Sequence, residues 1–409
     1  MSQVLQKQFP LGPLDSFEQG FFVDNTNGKR YIDCSRPCKQ TVNLTVLSLF
    51  SGAGGLDIGL ELAGFETLGC VEIDKDCRET LKFNRPNWKL IDGSNIDQPG
   101  DIREVNTNAV LSNLGLKRGE LGLIVGGPPC QPFSNLGRKL GQDDSRNGDL
   151  YAEFGRMIEE FLPKGFIFEN VEGFAHAKHA EVRKFLFNRF EKLGYAFSAH
   201  VFSSADYGDP QIRKRYVILG LRNAQEVALP LPEFFETTSK GAQFYSRIGR
   251  EIKEAPRTWR TVGETLARIP LTSLQRSDCI QMGVSDIVAR RMALVKPGEN
   301  FKVLPPELLP DCWKSGKHQG QDTFGRLRAD RPSVTIRTSA YNSSKGRFIH
   351  PFENRGLNTA EMAALQSFPA DFEFKCARKP TLVGIGRMIG NAVPINLARA
   401  LGEAMKAQI

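Results

Sequence analysis

The chain opens on a polar stretch and changes character at Thr45. Residues 1–43 are rich in Asn, Asp, Gln and Lys and show no apolar period, so an N-terminal extension, partly ordered at best, is expected there. From Thr45 onward, short β-rich runs alternate with stretches of helical apolar spacing. Thr45-Val46-Leu47-Ser48-Leu49-Phe50 reads as a buried strand, and Leu56, Leu60 and Leu62 mark the helix that follows. A second strand is read through Thr67 to Val71, with a helix over Lys75 to Asn84. Leu123-Ile124-Val125, Phe166-Ile167-Phe168, His200 to Ser203 and Tyr216 to Leu221 are further strands. This alternation predicts an α/β fold with right-handed crossovers and a parallel sheet covered on both faces.

Between about Arg222 and Pro332 the alternation dissolves. That stretch is proline-rich, from Pro230 to Pro310, and more basic than acidic, with Arg247, Arg250, Lys253, Arg257 and Arg260 close together. A second, smaller lobe is expected, as the length of 409 residues also suggests. Order returns at Thr359 to Gln366, a helix capped by Asn358 with Glu361 in the capping-box position, and at Ile395 to Ala404.

Composition narrows the classes. A net charge of +8 suits a polyanionic partner. No apolar run is long enough to span a bilayer and the polar start does not read as a signal peptide, so a cytoplasmic protein with no membrane partner is expected. The eight cysteines include no Cys-x-x-Cys pair, the nearest approach being Cys34 and Cys38, and no metal site is expected.

Ligands of a parallel sheet collect at the carboxyl ends of its strands. Gly52, Glu72, Cys130 and Glu169 each follow an apolar run, so they are expected at one site. Phe50-Ser51-Gly52-Ala53-Gly54-Gly55 joins the first strand to its helix. Without a following Gly-Lys-Ser/Thr it is no nucleotide phosphate loop. Glu72 can accept hydrogen bonds from both ribose hydroxyls of a nucleoside. The glycine turn and this acid together point to a nucleoside cofactor, NAD-like or S-adenosylmethionine. The loop Gly126-Gly127-Pro128-Pro129-Cys130-Gln131-Pro132-Phe133-Ser134 decides between them, because two prolines fix where the Cys130 thiol points. A thiolate is suited to adding to C6 of a pyrimidine, which makes C5 nucleophilic toward a sulfonium methyl group. Enzymes that methylate exocyclic amines typically carry Asp/Asn-Pro-Pro-Tyr/Phe instead.

Phe50 to Gly55, the Pro-Pro-Cys-Gln-Pro-Phe-Ser loop, Phe168-Glu169-Asn170-Val171, Gln211-Ile212-Arg213-Lys214-Arg215 and Gly390-Asn391-Ala392-Val393-Pro394 occur in that order. They resemble the ordered motifs of the bacterial DNA (cytosine-5) methyltransferases, over roughly Val46 to Gly402. The resemblance implies a Rossmann-like S-adenosylmethionine-dependent methyltransferase fold. Its catalytic domain would span 44–224, completed by about 378–409, with a small target-recognition domain at 225–377. The residues implied as catalytic are Cys130 as nucleophile, Glu169 on the cytosine N3 and amino group, and Arg213 and Arg215, one or both holding the flipped base and the DNA backbone. For the cofactor the resemblance implies Phe50, Gly52, Gly54, Gly55, Leu56, Glu72, Ile73, Asp101, Ile102, Pro129, Leu150, Asn391 and Ala392. Asp92 and Asp97 compete with Asp101. Many relatives carry an Asp where this chain has Ser48. The segment between Gln131 and Gly148 resembles a mobile lid. Phe324 to Leu327, Pro332 to Thr338 and Leu365 to Pro369 match segments with structural roles.

The implied partner is double-stranded DNA, bound by a monomer, with a cognate restriction endonuclease as the usual setting of the family. A tRNA cytosine-5 methyltransferase on the same fold is the alternative. A binding module with a dead active site and an NAD-dependent oxidoreductase are the other rivals; the intact set Cys130, Glu169, Arg213 and Arg215 opposes the first, and the Pro-Pro-Cys loop the second.

Overall fold

A computed structural model describes residues 21–34, 44–91, 100–129, 150–314 and 322–409. Two strands, β1 (Phe21–Asp24) and β2 (Lys29–Ile32), form a hairpin ahead of the main sheet. The main sheet starts with β3 (Thr45–Leu49), followed by helix α1 (Gly55–Leu62), β4 (Glu66–Val71), helix α2 (Lys75–Asn84) and β5 (Lys89–Leu90). β6 (Leu123–Gly126), β7 (Gly165–Val171), β8 (Tyr195–Ser203), the short β9 (Gln211–Ile212), β10 (Lys214–Arg222) and β11 (Leu229–Pro230) come next. Seven strands are ordered β5-β4-β3-β6-β7-β10-β8. The first five run parallel, whereas β10 lies antiparallel between β7 and β8. The sheet is therefore not wholly parallel as expected. A short connection, Ser204 to Arg213, returns the chain from β8 directly beside itself, which only an antiparallel neighbour permits.

The apolar runs are continuous because both faces of the sheet are covered. Val46, Leu123, Val125 and Ile167 belong to the core on one face; Leu47, Ile124, Phe166 and Phe168 belong to the core on the other. Register joins these sets in layers: Leu47 opposite Ile124, and Ile124 opposite Phe166. Side chains alternate between faces along each strand, so a one-residue slip would exchange the two cores.

The C-terminal helix Ile395–Lys406 closes the first core against α1. Asp209, from the β8–β9 connection, caps that helix by accepting from Asn396 N (3.2 Å) and Leu397 N (3.0 Å). Met292, Val295, Phe301, Leu304, Phe324 and Ile349 form a further apolar cluster, apart from the two cores that cover the sheet. Arg326 is buried within this region and donates to the carbonyls of Val295, Met292, His350 and Glu353.

The N-terminal segment departs from expectation. Residues 21–34 are folded, and β11 joins β2 in parallel to make a three-stranded sheet. Asp24 is fully buried, accepts from Thr26 N (3.0 Å), and pairs with Arg247 (2.9 Å). The hairpin signal was present in Asn27-Gly28, with Gly28 at φ 68°. Four-residue strands give too short an alternation to stand out from a polar background.

A Cβ at Gly59 would come within 2.4 Å of the Ala398 Cβ and 2.7 Å of Arg399 N. Gly59→Val is expected to lower stability by about 1–3 kcal/mol through overpacking, read as an earlier midpoint in urea.

Candidate active site

The chain leaves β3 through a strained turn. Phe50 (φ 56°), Gly52 (φ 58°) and Gly54 (φ 82°) all take left-handed backbone, and at Phe50 a side chain bears that conformation. Such strain, of order 1–3 kcal/mol, persists only where surrounding structure imposes it. Here Phe50 N donates to Val71 O (2.9 Å) on the neighbouring strand. The turn lays Gly52 against Glu72, whose carboxylate accepts from Gly52 N and from Asp74 N, each at 2.7 Å. Burial pushes the Glu72 carboxyl up, while the backbone donors pull it back.

These residues border a cavity of about 830 Å³ at the strand ends. Of the expected cofactor residues, Phe50, Gly52, Leu56, Glu72, Ile73, Asp101, Ile102, Pro129, Leu150, Asn391 and Ala392 all line it. Gly54 and Gly55 stand behind that lining. A Cβ at Gly54 would meet Leu81 at 2.9 Å, and one at Gly55 would meet Val393 O at 2.5 Å. Both glycines serve close packing behind the turn. Asp101 caps the turn Ile102–Glu104 and pairs with Arg103, which holds its carboxyl below the usual range. The competing Asp92 and Asp97 lie outside the described residues, as do Cys130 and the expected lid between Gln131 and Gly148.

On the other side of the cavity, Gly126 ends β6, and Gly127, Pro128 and Pro129 lead up to position 130. Gly127 is required by its neighbour, since a Cβ there would sit 2.4 Å from Glu169 Oε2. Glu169 is buried and paired with Arg215, Nε to Oε1 at 2.7 Å. Burial is the largest influence on its carboxyl and the net direction is upward, with Arg215 and then Arg213 opposing. A carboxyl so poised can share a proton with a ring nitrogen. Asn170 Nδ2 donates to Pro128 O (2.9 Å), tying the proline loop to β7.

Arg213 was expected on a strand beside Arg215. It falls instead at the break between β9 and β10, though both arginines line the cavity. The Arg213 guanidinium is buried and donates to Ile336 O (2.8 Å) and Gly390 O (2.6 Å), joining the late segments to the sheet. Thr335, Arg337 and Thr338, from the segment Pro332 to Thr338, also border the cavity. Ser48, Ser51, Arg103, Asn170 and Arg387 are further lining residues that motif reading did not select as site residues. Among the described residues, no group of three or more His, Cys, Asp or Glu could hold a metal ion, and no helix is long and apolar enough to cross a membrane.

A mostly parallel sheet, a glycine turn after its first strand and an acid after its second form the Rossmann-like frame of an enzyme with a nucleoside cofactor such as S-adenosylmethionine. The cavity fits that donor: Glu72 stands where a ribose would be held, and the exposed Ile73 beside it offers an apolar face. Solved structures agree on the fold. A prophage-encoded protein of Escherichia coli, described as a DNA modification methyltransferase, superposes with a TM-score of 0.63 at 23% identity, over 89% of this chain and 98% of that one. The S. pombe Dnmt2 methyltransferase gives 0.56 at 18% identity, over 88% and 98%. The sequence is more specific: residues 44–407 match the family of C-5 cytosine-specific DNA methylases, and the chain belongs to that family. The Type II methyltransferase M.PspPI of a Psychrobacter species is 31% identical over 407 residues, covering 98% of this chain and 87% of the relative. M.Sau96I of Staphylococcus aureus is 32% identical over 381 residues, covering 92% and 78%. The protein is accordingly a DNA cytosine-5 methyltransferase that uses S-adenosylmethionine.

Gly127→Ala is expected to displace the Glu169 carboxylate and lower kcat by about tenfold or more, since sub-ångström placement governs such groups. Its thermal unfolding should stay near that of the parent. Glu169→Gln should cost about 10²–10⁴-fold in methyl transfer, measured with labelled donor on duplex DNA.

Proposed function

We propose that the enzyme methylates C5 of a cytosine swung out of a specific duplex site, through a covalent bond between Cys130 and C6. The reading is carried by one juxtaposition. The Glu169–Arg215 pair lies against Gly127, three residues before Cys130, in the cavity that Glu72 and the glycine turn also line. Glu169 would hold the base at N3 and its amino group, drawing electron density from C6. The Cys130 thiolate then adds to C6, and the C5–C6 electron pair becomes available at C5. When bound, S-adenosylmethionine supplies an electrophilic methyl group for C5. Removal of the C5 proton and departure of the Cys130 thiolate restore the aromatic ring. Arg215 keeps Glu169 in place, and Arg213 holds the wall made by Ile336 and Gly390. Phe50, Leu56, Glu72, Ile73, Asp101, Ile102, Pro129, Leu150, Asn391 and Ala392 would hold the donor, without a metal.

In this reading residues 44–224 with about 378–409 form the catalytic domain, and 225–377 form the domain that reads base edges in the major groove. The net charge of +8 supports a phosphate-lined partner. The enzyme would act as a monomer in the cytoplasm and protect DNA from a cognate restriction endonuclease. The relatives' designation as Type II methyltransferases supports that setting.

Cys130→Ala should abolish methyl transfer and leave DNA binding intact in a filter assay. Duplex DNA carrying 5-fluorocytosine in the target site should trap the parent enzyme as a covalent complex through residue 130. Methylation of tRNA in preference to duplex DNA in a side-by-side assay would overturn the substrate assignment.

A further inference from the structure

Behind the glycine turn lies a charge that the proposed chemistry does not use. Asp57 sits in the first turn of α1 and is 0% exposed. Neither of its carboxylate oxygens has a hydrogen-bond partner among the described residues. Buried carboxylates are ordinarily paired, because leaving water without a replacement is costly. A helix side chain leans toward its own N-terminus, so Asp57 leans toward the turn that carries Ser51 and Gly52. The Ser48 hydroxyl is near enough to favour its charged form. Ser51 Oγ in turn donates to Ser48 Oγ (2.8 Å), leaving the Ser48 proton free to point at Asp57. Ser48 and Ser51 both line the cavity, whereas Asp57 stands behind them.

Among the described residues, no cation is set against this carboxylate. The charged groups that face it are Glu72, at the end of β4, and Glu61, on α1, and both disfavour its ionisation. The Cys70 thiol on β4 is a further neighbour, itself pushed well up by burial and by Asp57. Burial raises the Asp57 carboxyl to about 7. A carboxyl raised this far lies within reach of neutral pH, so a charge entering the cavity can shift its ionisation.

We propose that Asp57 is a positioning residue for the methyl donor. Through the hydroxyls of Ser48 and Ser51, its carboxylate favours a ligand bearing a sulfonium charge over the same ligand with a neutral sulfur. The inference rests on the reading of this cavity as the donor site. Its consequence is discrimination between donor and spent product, which differ by one methyl group and one positive charge. Contacts to ribose and adenine are common to both compounds and cancel in the comparison, whereas Glu72 and the ligand amino group also feel the sulfonium, so the part due to Asp57 is the difference between the parent and D57N.

The test is calorimetric binding of S-adenosylmethionine and S-adenosylhomocysteine to the full-length enzyme between pH 6 and 8. In the parent, preference for the sulfonium compound rises with pH through about 7. Its binding near pH 7 releases a proton, seen as a heat that changes with buffer ionisation enthalpy. In D57N the preference should fall by about tenfold, the order of one charge felt through protein, and lose its pH dependence. S48A should show the same change in part. The ligand-free enzyme gives an independent readout. A carboxyl raised on folding contributes stability that is fully present below its unfolded value of about 4 and is lost by its folded value of about 7, so the melting advantage of D57N over the parent should grow steadily from pH 4 to pH 8. Equal preference and equal pH dependence in parent and D57N overturn the inference, as does a D57N melting advantage that does not grow with pH. A parent in which sulfonium binding releases no proton does so too, without recourse to any variant. Failure of either compound to bind the parent overturns the cavity reading itself, and the inference with it.

Discussion

A carboxylate taken out of water is tolerated only where something replaces its lost hydration, and Arg215 does this for Glu169. The pair depends on strand order. In the antiparallel ladder of β7 and β10, Val217 faces Glu169 and Arg215 faces Val171. Arg215 is therefore the diagonal neighbour of Glu169 on the same face, within reach of a long side chain. A parallel neighbour would require a long crossover in place of the short Ser204 to Arg213 connection, and a ladder slipped by one residue would turn Arg215 to the opposite face. The antiparallel strand that breaks the pattern of the sheet is what allows a buried acid at its catalytic edge.

Once Glu169 is fixed, its surroundings have little freedom. Gly127 must lack a side chain because the carboxylate occupies that space. Asn170, the next residue on β7, points to the other face and fastens Pro128. Two successive strand residues thus serve one cavity from opposite sides, the first facing its interior and the second holding the proline loop. The same economy governs the cofactor side, where Glu72 both bonds the Gly52 turn and caps the approach to α2 through Asp74 N.

The parts of this enzyme that were legible in the sequence are those where one residue type is chemically obligatory. Glu72, Glu169 and the proline pair ahead of Cys130 stand at strand ends, and strand ends are readable from apolar runs. Less legible were residues whose role depends on distant partners. Gly54 and Gly55 look identical to Gly52 in the motif, yet they face Leu81 and Val393, more than 20 and 300 positions away, rather than the cavity. Arg213 looks like Arg215, but its guanidinium is spent on Ile336 O and Gly390 O. Asp57 falls inside a motif where any polar residue near a helix start reads as unremarkable. The Phe21 to Ile32 hairpin was hidden because its strands are too short to display a period, although its turn residues announce it.

The cavity draws its walls from the two ends of the catalytic lobe: Phe50 and Glu72 from one, Asn391 and Ala392 from the other. The helix Ile395–Lys406 that secures the later wall packs on α1, more than 330 positions upstream. During synthesis, at about 5–20 residues per second, tens of seconds separate the emergence of these walls from the ribosome. Throughout that interval α1 and the glycine turn wait without their counterpart, shielded by whatever the cell provides. A growing polypeptide therefore has no complete cavity until the segment carrying Asn391 and Ala392 has emerged and packed.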